Sequence, residues 1–491
     1  MTYLLGIDIG TYQGKAVLAR PDGTVVAQAV RDHRMDVPRP GWAEHDADAV
    51  WWDGLVALCR DVLAGVDAGA VAALAVSGIG PCVLPVDGDG APLCPAILYG
   101  VDARAGAQIA AMTERLGADA MLDVSGNVLT TQSVGPKVQW LRDERPALWD
   151  RTAAIETCTT FLVRRLTGER VLDHHSAGQW TPFYDARAGT WSEAMCQGVV
   201  EVDRLPRLVW TTDVAGTVTD AAAAATGLAP GTPVTAGTID AAAEAVSVGV
   251  RDAGDLMVMY GSSMFLIQVT PDRLVDAALW SAPWLWPGTW CSMAGQGTSG
   301  TLTRWFRDVL ARELGDDAFA ALCAEAAATP PGAEGLLCLP YFSGERTPIQ
   351  DPQARGAFFG LNLTHGRGHL FRAACEGVAM GTAHVVETFR AGGAAPSRVL
   401  AVGGGVRNAV WLQATGDLTG VAQHLCRSSV GASLGDAFLA GCAVGAVDPG
   451  AIADWNPVER VVEPVARDVY ARQYALWREL YEGTKGIAHR L

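Results

Sequence analysis

The chain has 491 residues, 49% hydrophobic and 18% charged, with 37 basic and 53 acidic side chains and a formal net charge of −16. That is more chain than one ordinary core holds, so two large or three smaller domains are expected. The acidic balance argues against a broad nucleic-acid surface. Phosphate can then be held only locally, by backbone amides and a metal.

The eleven cysteines are scattered. None has C-x-x-C spacing, and apolar neighbours such as Leu58-Cys59, Leu93-Cys94 and Leu337-Cys338 suit reduced core thiols. No run approaches the ~18 uninterrupted apolar residues of a membrane span. The N-terminus opens into a strand without a signal-like block. A cytoplasmic protein with no membrane partner is expected.

Residues 3–9 have the pattern of a buried strand, Gly10-Thr11 of a turn, and 14–18 of a second strand. Pro21-Asp22-Gly23 turns the chain into a third strand at 24–30, which makes an antiparallel meander. Rossmann and Walker loops lead from strand through glycines into a helix. Here the apolar alternation resumes after the turn, so neither pattern fits. Strand and helix patterns alternate up to about 249, with a strand at 71–77 and helices at 102–116, 136–143 and 159–166. At 256–260 the opening theme recurs as strand, Gly261-Ser262-Ser263 turn, and strand at 264–269. Two such openings suggest a duplicated architecture. Helices follow near 301–314, 369–391, 409–418 and 468–482.

Asp8 ends a buried strand just before Gly10-Thr11. A carboxylate there can orient waters on magnesium while the turn's amides approach phosphate, and Lys15 across the hairpin adds a point charge. An ordinary hairpin with a turn-stabilising Asp explains the same residues equally well. Asp240 stands between an apolar strand and an Ala-rich helix. It suits a base accepting a hydroxyl proton during phosphoryl transfer, but taken alone its position is better explained by a helix cap. Gly403-Gly404-Gly405 precedes a helix beginning near Asn408, whose amide offers donor and acceptor to a nucleotide base. The charged, turn-rich stretch 340–348 has the composition of a braced surface loop. The tryptophans at 280, 284, 286 and 290 suit packing, and His174-His175 are expected as surface or capping residues.

In this order the fragments resemble the FGGY family of carbohydrate kinases, most closely its xylulose-kinase-like branch. The match includes Gly6-Ile7-Asp8-Ile9-Gly10-Thr11, Pro40-Gly41-Trp42-Ala43-Glu44, Asp102-Ala103-Arg104, and Gly237 to Asp240. It continues through Gly261-Ser262-Ser263, Gly344-Glu345-Arg346-Thr347-Pro348, Gly403-Gly404-Gly405 with Asn408, and Gly431 to Gly435.

The resemblance implies an α/β fold of two ribonuclease-H-like (actin-like ATPase) domains with a central cleft. Residues 1–248 would carry sugar binding and the catalytic base, and 249–491 nucleotide binding. It implies ATP and Mg2+ as cofactors and a small sugar or polyol as substrate, and it allows a homodimer. Asp240 then matches the catalytic base, and Asp8 with Asp240 the magnesium site. Gly10, Thr11, Lys15, Gly261, Ser262, Ser263, Gly300, Gly404 and Asn408 match nucleotide-binding positions. Asp102, Arg104, Gly80, Pro81 and Asp240 fall at the sugar.

The chain also departs from this pattern. Xylulose kinases resemble Gly-Gln-Met-His where it has Gly78-Ile79-Gly80-Pro81, and Trp-Asn where it has Gly100-Val101. The altered pocket keeps open a kinase for another small alcohol, such as a tetritol, a hexulose or a signal molecule. An actin-like ATPase without sugar kinase activity and a sugar-binding regulator are further alternatives. Both are opposed by the Gly344 to Gly360 block or by the retention of Asp8 and Asp240.

Overall fold

The computed structural model describes residues 2–428 and 430–491. By contacts the chain forms two compact units, neither continuous in sequence. The first comprises Met1–Gly249, Pro271–Cys291 and Val430–Pro457, and the second Val250–Thr270, Ser292–Ser429 and Val458–Leu491. Strands are numbered below through the large sheet of each unit only.

The first unit is built on β1 (Tyr3–Ile9), β2 (Gln13–Ala19), β3 (Val25–Asp32), β4 (Val71–Gly78), β5 (Val214–Thr217), β6 (Pro233–Thr235) and β7 (Thr238–Ile239). The order is β5-β6-β4-β1-β2-β3, with β7 also on β4. The expected meander is present: β1 pairs antiparallel with β2, and β2 with β3. β4 then joins β1 in parallel.

Alternation along these strands sets what covers each face. Leu5, Ile7 and Ile9 of β1, with Leu74 and Val76 of β4, enter the main core beside Trp51, Leu55 and Leu58. The opposite face carries small residues, because a helix lies directly upon it. A Cβ on Gly6 would stand 2.0 Å from the Ser433 carbonyl, and Ala73 and Ala75 pack against Ala440. That helix, Ala432–Ala443, crosses the helix Asp240–Ser247 just as closely. A Cβ on Gly435 would stand 2.0 Å from the Ala243 carbonyl.

The second unit repeats the opening. β8 (Asp255–Tyr260) turns through Gly261-Ser262-Ser263 into antiparallel β9 (Met264–Thr270). β10 (Trp290–Gln296) follows, and β11 (Arg398–Val402) joins β8 in parallel, as β4 joins β1. With β12 (Gln423–Cys426) and β13 (Val458–Val462) the order is β10-β9-β8-β11-β12-β13. The long helices Arg367–Ala391 and Asp468–Ala488 belong to this unit. Among the described residues no helix is long and apolar enough to cross a membrane.

Two local expectations change. The helix expected at 102–116 begins at Gly106, because Asp102 and Arg104 are held in the preceding loop. His175 is a core residue and not a surface one: it is 1% exposed, and its Nδ1 lies 2.9 Å from the Pro283 carbonyl.

Candidate active site

In the first unit the strand register lines up three side chains. Asp8 of β1 stands opposite Lys15 on β2 and opposite Ser77 on β4. Asp8 faces the side on which the helix Ala432–Ala443 lies, so that helix adds a fourth polar group. Ser77 Oγ is 2.7 Å from Asp436 Oδ2 and 3.2 Å from Asp8 Oδ1. A hydroxyl has one proton to donate. Both contacts are hydrogen bonds only when one carboxyl is itself protonated.

The electrostatics agree with that. Burial, reinforced by the charges of Asp240 and Glu244, pushes Asp8 well above the ordinary carboxylate range. Burial does the same to Asp436. Asp240 begins its helix, and its Oδ1 accepts the Ala241 N–H at 2.7 Å. Burial raises it to about 7, and Glu244 one turn on adds to the shift. Glu244 is itself raised by burial, with Lys15 opposing. Asp8, Asp240 and Glu244 thus form one acidic group, and Lys15 is the cation that offsets Asp8 and Glu244.

The turn beside it is held from both sides. Gly10 N–H donates to the Gln13 carbonyl at 3.0 Å. His33 Nε2 lies 2.9 Å from the Gly10 carbonyl, which fixes the proton on that nitrogen. The Thr11 and Tyr99 hydroxyls are 3.4 Å apart.

The loops expected at the sugar divide into two kinds. Gly80 precedes Pro81 through a cis peptide, and a Cβ there would come 3.0 Å from Ile239, next to Asp240. By contrast, Asp102 is fully buried. Its carboxylate accepts from the Ala43 N–H at 2.7 Å and from the Arg104 N–H and guanidinium. Arg104 is clamped further by Glu44 at 2.8 Å and lies 3.9 Å over the Trp42 ring. These two residues shape the loop from behind. Lys137 completes the support: its ammonium donates to the carbonyls of Leu98, Tyr99 and Thr131 at 2.7, 3.0 and 2.8 Å. The space at Gly100 is taken by Gln132, whose Oε1 accepts the Gly100 N–H at 2.8 Å.

The second unit carries a cavity of about 830 Å3, lined among others by Gly261, Ser262, Gly300, Gly404, Gly405 and Asn408. Five sequence-predicted positions thus meet at one cavity (Ser263 is outside its lining). Close approach requires glycine at 403 and 405. A Cβ on Gly403 would stand 2.8 Å from the Tyr260 carbonyl, and one on Gly405 2.6 Å from Trp411. Asn408 is only 9% exposed. Its Oδ1 accepts the N–H groups of Val410 and Trp411 at 3.1 and 3.2 Å, and its Nδ2 donates to Cys375 Sγ. In this structure it caps the helix Ala409–Thr419 from the cavity wall.

Among the described residues no three His, Cys, Asp or Glu side chains form a ready metal cage. Asp8 and Asp240 supply only two carboxylates. That donor set fits magnesium, which keeps several waters and is typically held by one or two carboxylates together with substrate phosphates.

Two family models cover most of the chain. The N-terminal domain of the FGGY family of carbohydrate kinases matches residues 3–247, and its C-terminal domain residues 256–444. The chain belongs to the FGGY family of carbohydrate kinases. This FGGY kinase is 31% identical to a xylulose kinase of Escherichia coli, over 89% of either chain. It is 30% identical to a glycerol kinase of Trichlorobacter lovleyi, over 99% of this chain and 100% of that one. A solved xylulose kinase from Rhodospirillum rubrum superposes with a TM-score of 0.93 at 33% identity, over 99% of this chain and 100% of that one. The fold is therefore the two-domain ribonuclease-H-like, actin-like architecture of sugar kinases. The chain is an enzyme of the carbohydrate-kinase type, similar to xylulose kinases.

Sequence reasoning missed Asp436 and Glu244. Both lie within helices, where a lone carboxylate has the look of a solvated face. The available signal was their setting, Gly435-Asp436-Ala437 and Ala243-Glu244-Ala245, where small residues flank a charge.

Proposed function

We propose that this enzyme transfers the γ-phosphoryl group of ATP to a hydroxyl of a small ketose or polyol, with xylulose-like ketoses the best-supported class and Asp240 as general base. The observation that carries this reading is Asp240 itself. It is a carboxylate at the start of a helix, one strand residue from the Gly80 contact, and its proton affinity is raised to about 7. A base works best when its pKa lies near the working pH. Asp240 accepts the hydroxyl proton as the oxygen attacks phosphorus, and Lys15 beside the Gly10-Thr11 turn stabilises charge on the transferring group. When bound with the nucleotide, magnesium supplies charge neutralisation between phosphate oxygens, and Asp8 with Asp240 would hold its waters. Gly261, Ser262, Gly300, Gly404 and Asn408 contact the nucleotide, with Ser263 closing that turn.

A second reading is favoured by one observation. Gly80-Pro81 and Gly100 leave the sugar loops without the polar side chains of the xylulose-kinase pattern, and relatives include a glycerol kinase. A pocket lacking one hydrogen-bonding group discriminates strongly against the corresponding hydroxyl. This points to a non-pentulose alcohol such as a tetritol. A coupled ADP-release assay over ketoses, aldoses and polyols, run beside Asp240→Asn, separates the two. A xylulose response lost in the variant supports the first reading and a tetritol response the second. Sugar-independent ATP turnover, unchanged in the variant, would overturn both.

A further inference from the structure

The stretch 343–347, which gives the family resemblance much of its specificity, has no part in the mechanism above. Its surroundings in the second unit assign it one. Glu345 is 5% exposed. Its Oε1 accepts two backbone N–H groups, those of Gly297 and Arg346, both at 2.7 Å.

Around this carboxylate the segment lies alongside residues 295–298. Thr347 N–H donates to the Gly295 carbonyl at 3.0 Å, and Thr347 Oγ1 accepts the Gly295 N–H at 3.3 Å. The Arg346 guanidinium donates to the Gln296 carbonyl at 2.8 Å, and Ser343 N–H to Thr298 Oγ1 at 3.2 Å. The approach is close enough that a Cβ on Gly297 would stand 2.8 Å from the Gly344 carbonyl.

The next three residues grip the turn at the cavity. Ser299 and Thr301 N–H donate to the Ser262 carbonyl at 3.2 and 3.0 Å, and Gly300 N–H to the Gly261 carbonyl at 3.0 Å. The Ser299 and Thr301 hydroxyls donate to the same two carbonyls, each at 3.0 Å. A Cβ on Gly300 would stand 2.4 Å from the Gly261 carbonyl. Side-chain and backbone hydrogen bonds, joined by the chain from Gly297 to Thr301, therefore connect Glu345 to Gly261-Ser262.

We propose that Glu345 is a positioning residue for the nucleotide: its carboxylate sets the 297–301 segment and, through it, the Gly261-Ser262 turn on the cavity wall. The proposal rests on the assignment of this cavity to the nucleotide. Glu345 touches no substrate. Its effect is to hold the turn's amides in one place before the nucleotide arrives, so that binding does not also have to order them.

The test is calorimetric titration of the full chain with ADP in magnesium buffer, alongside thermal unfolding without nucleotide. Glu345→Ala is expected to weaken ADP binding about tenfold, the loss expected when two hydrogen bonds to a buried acceptor are removed. Glu345→Gln, whose amide oxygen can accept the same two N–H groups, stays within about threefold of wild type. Glu345→Asp, one methylene shorter, falls between them and decides the matter if the Ala variant does not fold. Wild-type affinity in the folded Ala or Asp variant would overturn the proposal, as would equal losses in Gln and Ala. A wild-type chain that binds no ADP would overturn the assignment of the cavity, and this proposal with it.

Discussion

Replacing Asp240 by Asn removes the charge and the base while keeping an oxygen for the Ala241 N–H. Two consequences follow from the same pKa of about 7. Loss of a general base costs roughly 10²–10⁴-fold in rate. In the wild type only ionised Asp240 is competent, about one tenth of molecules at pH 6 and about nine tenths at pH 8. The kcat/KM for the sugar should therefore climb roughly tenfold between those values. Stability moves the other way. Between its ordinary value of 3.8 and about 7 the folded chain holds a proton that the unfolded chain has released, so stability falls as pH rises through that window. The full shift is worth on the order of 4 kcal/mol, and the partly accessible carboxyl realises less, about 1–3 kcal/mol. Asp240→Asn should thus be inactive yet melt higher than wild type at pH 8, with the gap closing by pH 4. Sugar-dependent ADP release and thermal unfolding across pH 4–8 measure both. A rate flat from pH 6 to 8, or equal melting at pH 8, would refute the reasoning.

Gly6→Ala should destabilise the first unit by about 3 kcal/mol or more, since the new methyl meets backbone that cannot yield; chemical denaturation reads this directly. Lys137→Met leaves one buried and two half-buried carbonyls without their donor, at about 1–3 kcal/mol each where water does not reach them. It should raise the sugar KM while the KM for ATP holds. Asn408→Asp keeps an N-cap acceptor for Val410 and Trp411 but sets a negative charge in the cavity wall. The KM for ATP should rise about tenfold or more, with melting changed by about 1 kcal/mol or less. An unchanged KM for ATP would remove Asn408 from the nucleotide site.

The two strand–glycine–strand openings were legible because alternation and turn residues are local signals, and the pairings of β1 with β2 and of β8 with β9 follow from them. Asp240 showed locally only as an Asp where an apolar run becomes an Ala-rich helix, a setting that suits a cap, and it was the resemblance that singled it out. What surrounds these points is not local. Asp8 gains its neighbour Asp436 from the far end of the chain, and only the shared Ser77 hydroxyl reveals it. The motif containing Asp102 was visible in the sequence, but its complete enclosure by Ala43 and Arg104 depends on a partner loop that the sequence does not place. His175 beside Pro283 was missed likewise, because burial across distant segments leaves no mark on a two-residue motif. The return of Val430–Pro457 to the first unit is of this kind too.

The small-residue face of β1 and β4 is covered by a helix that begins at Ala432. A ribosome adding about 5–20 residues per second reaches that helix only roughly 20–90 seconds after it has made β1. Until then Gly6, Ala73 and Ala75 lack their cover, and the sheet waits unfinished for that helix. Nascent chains stalled before residue 432 should expose this face to proteases and chaperones, however long they are given to fold.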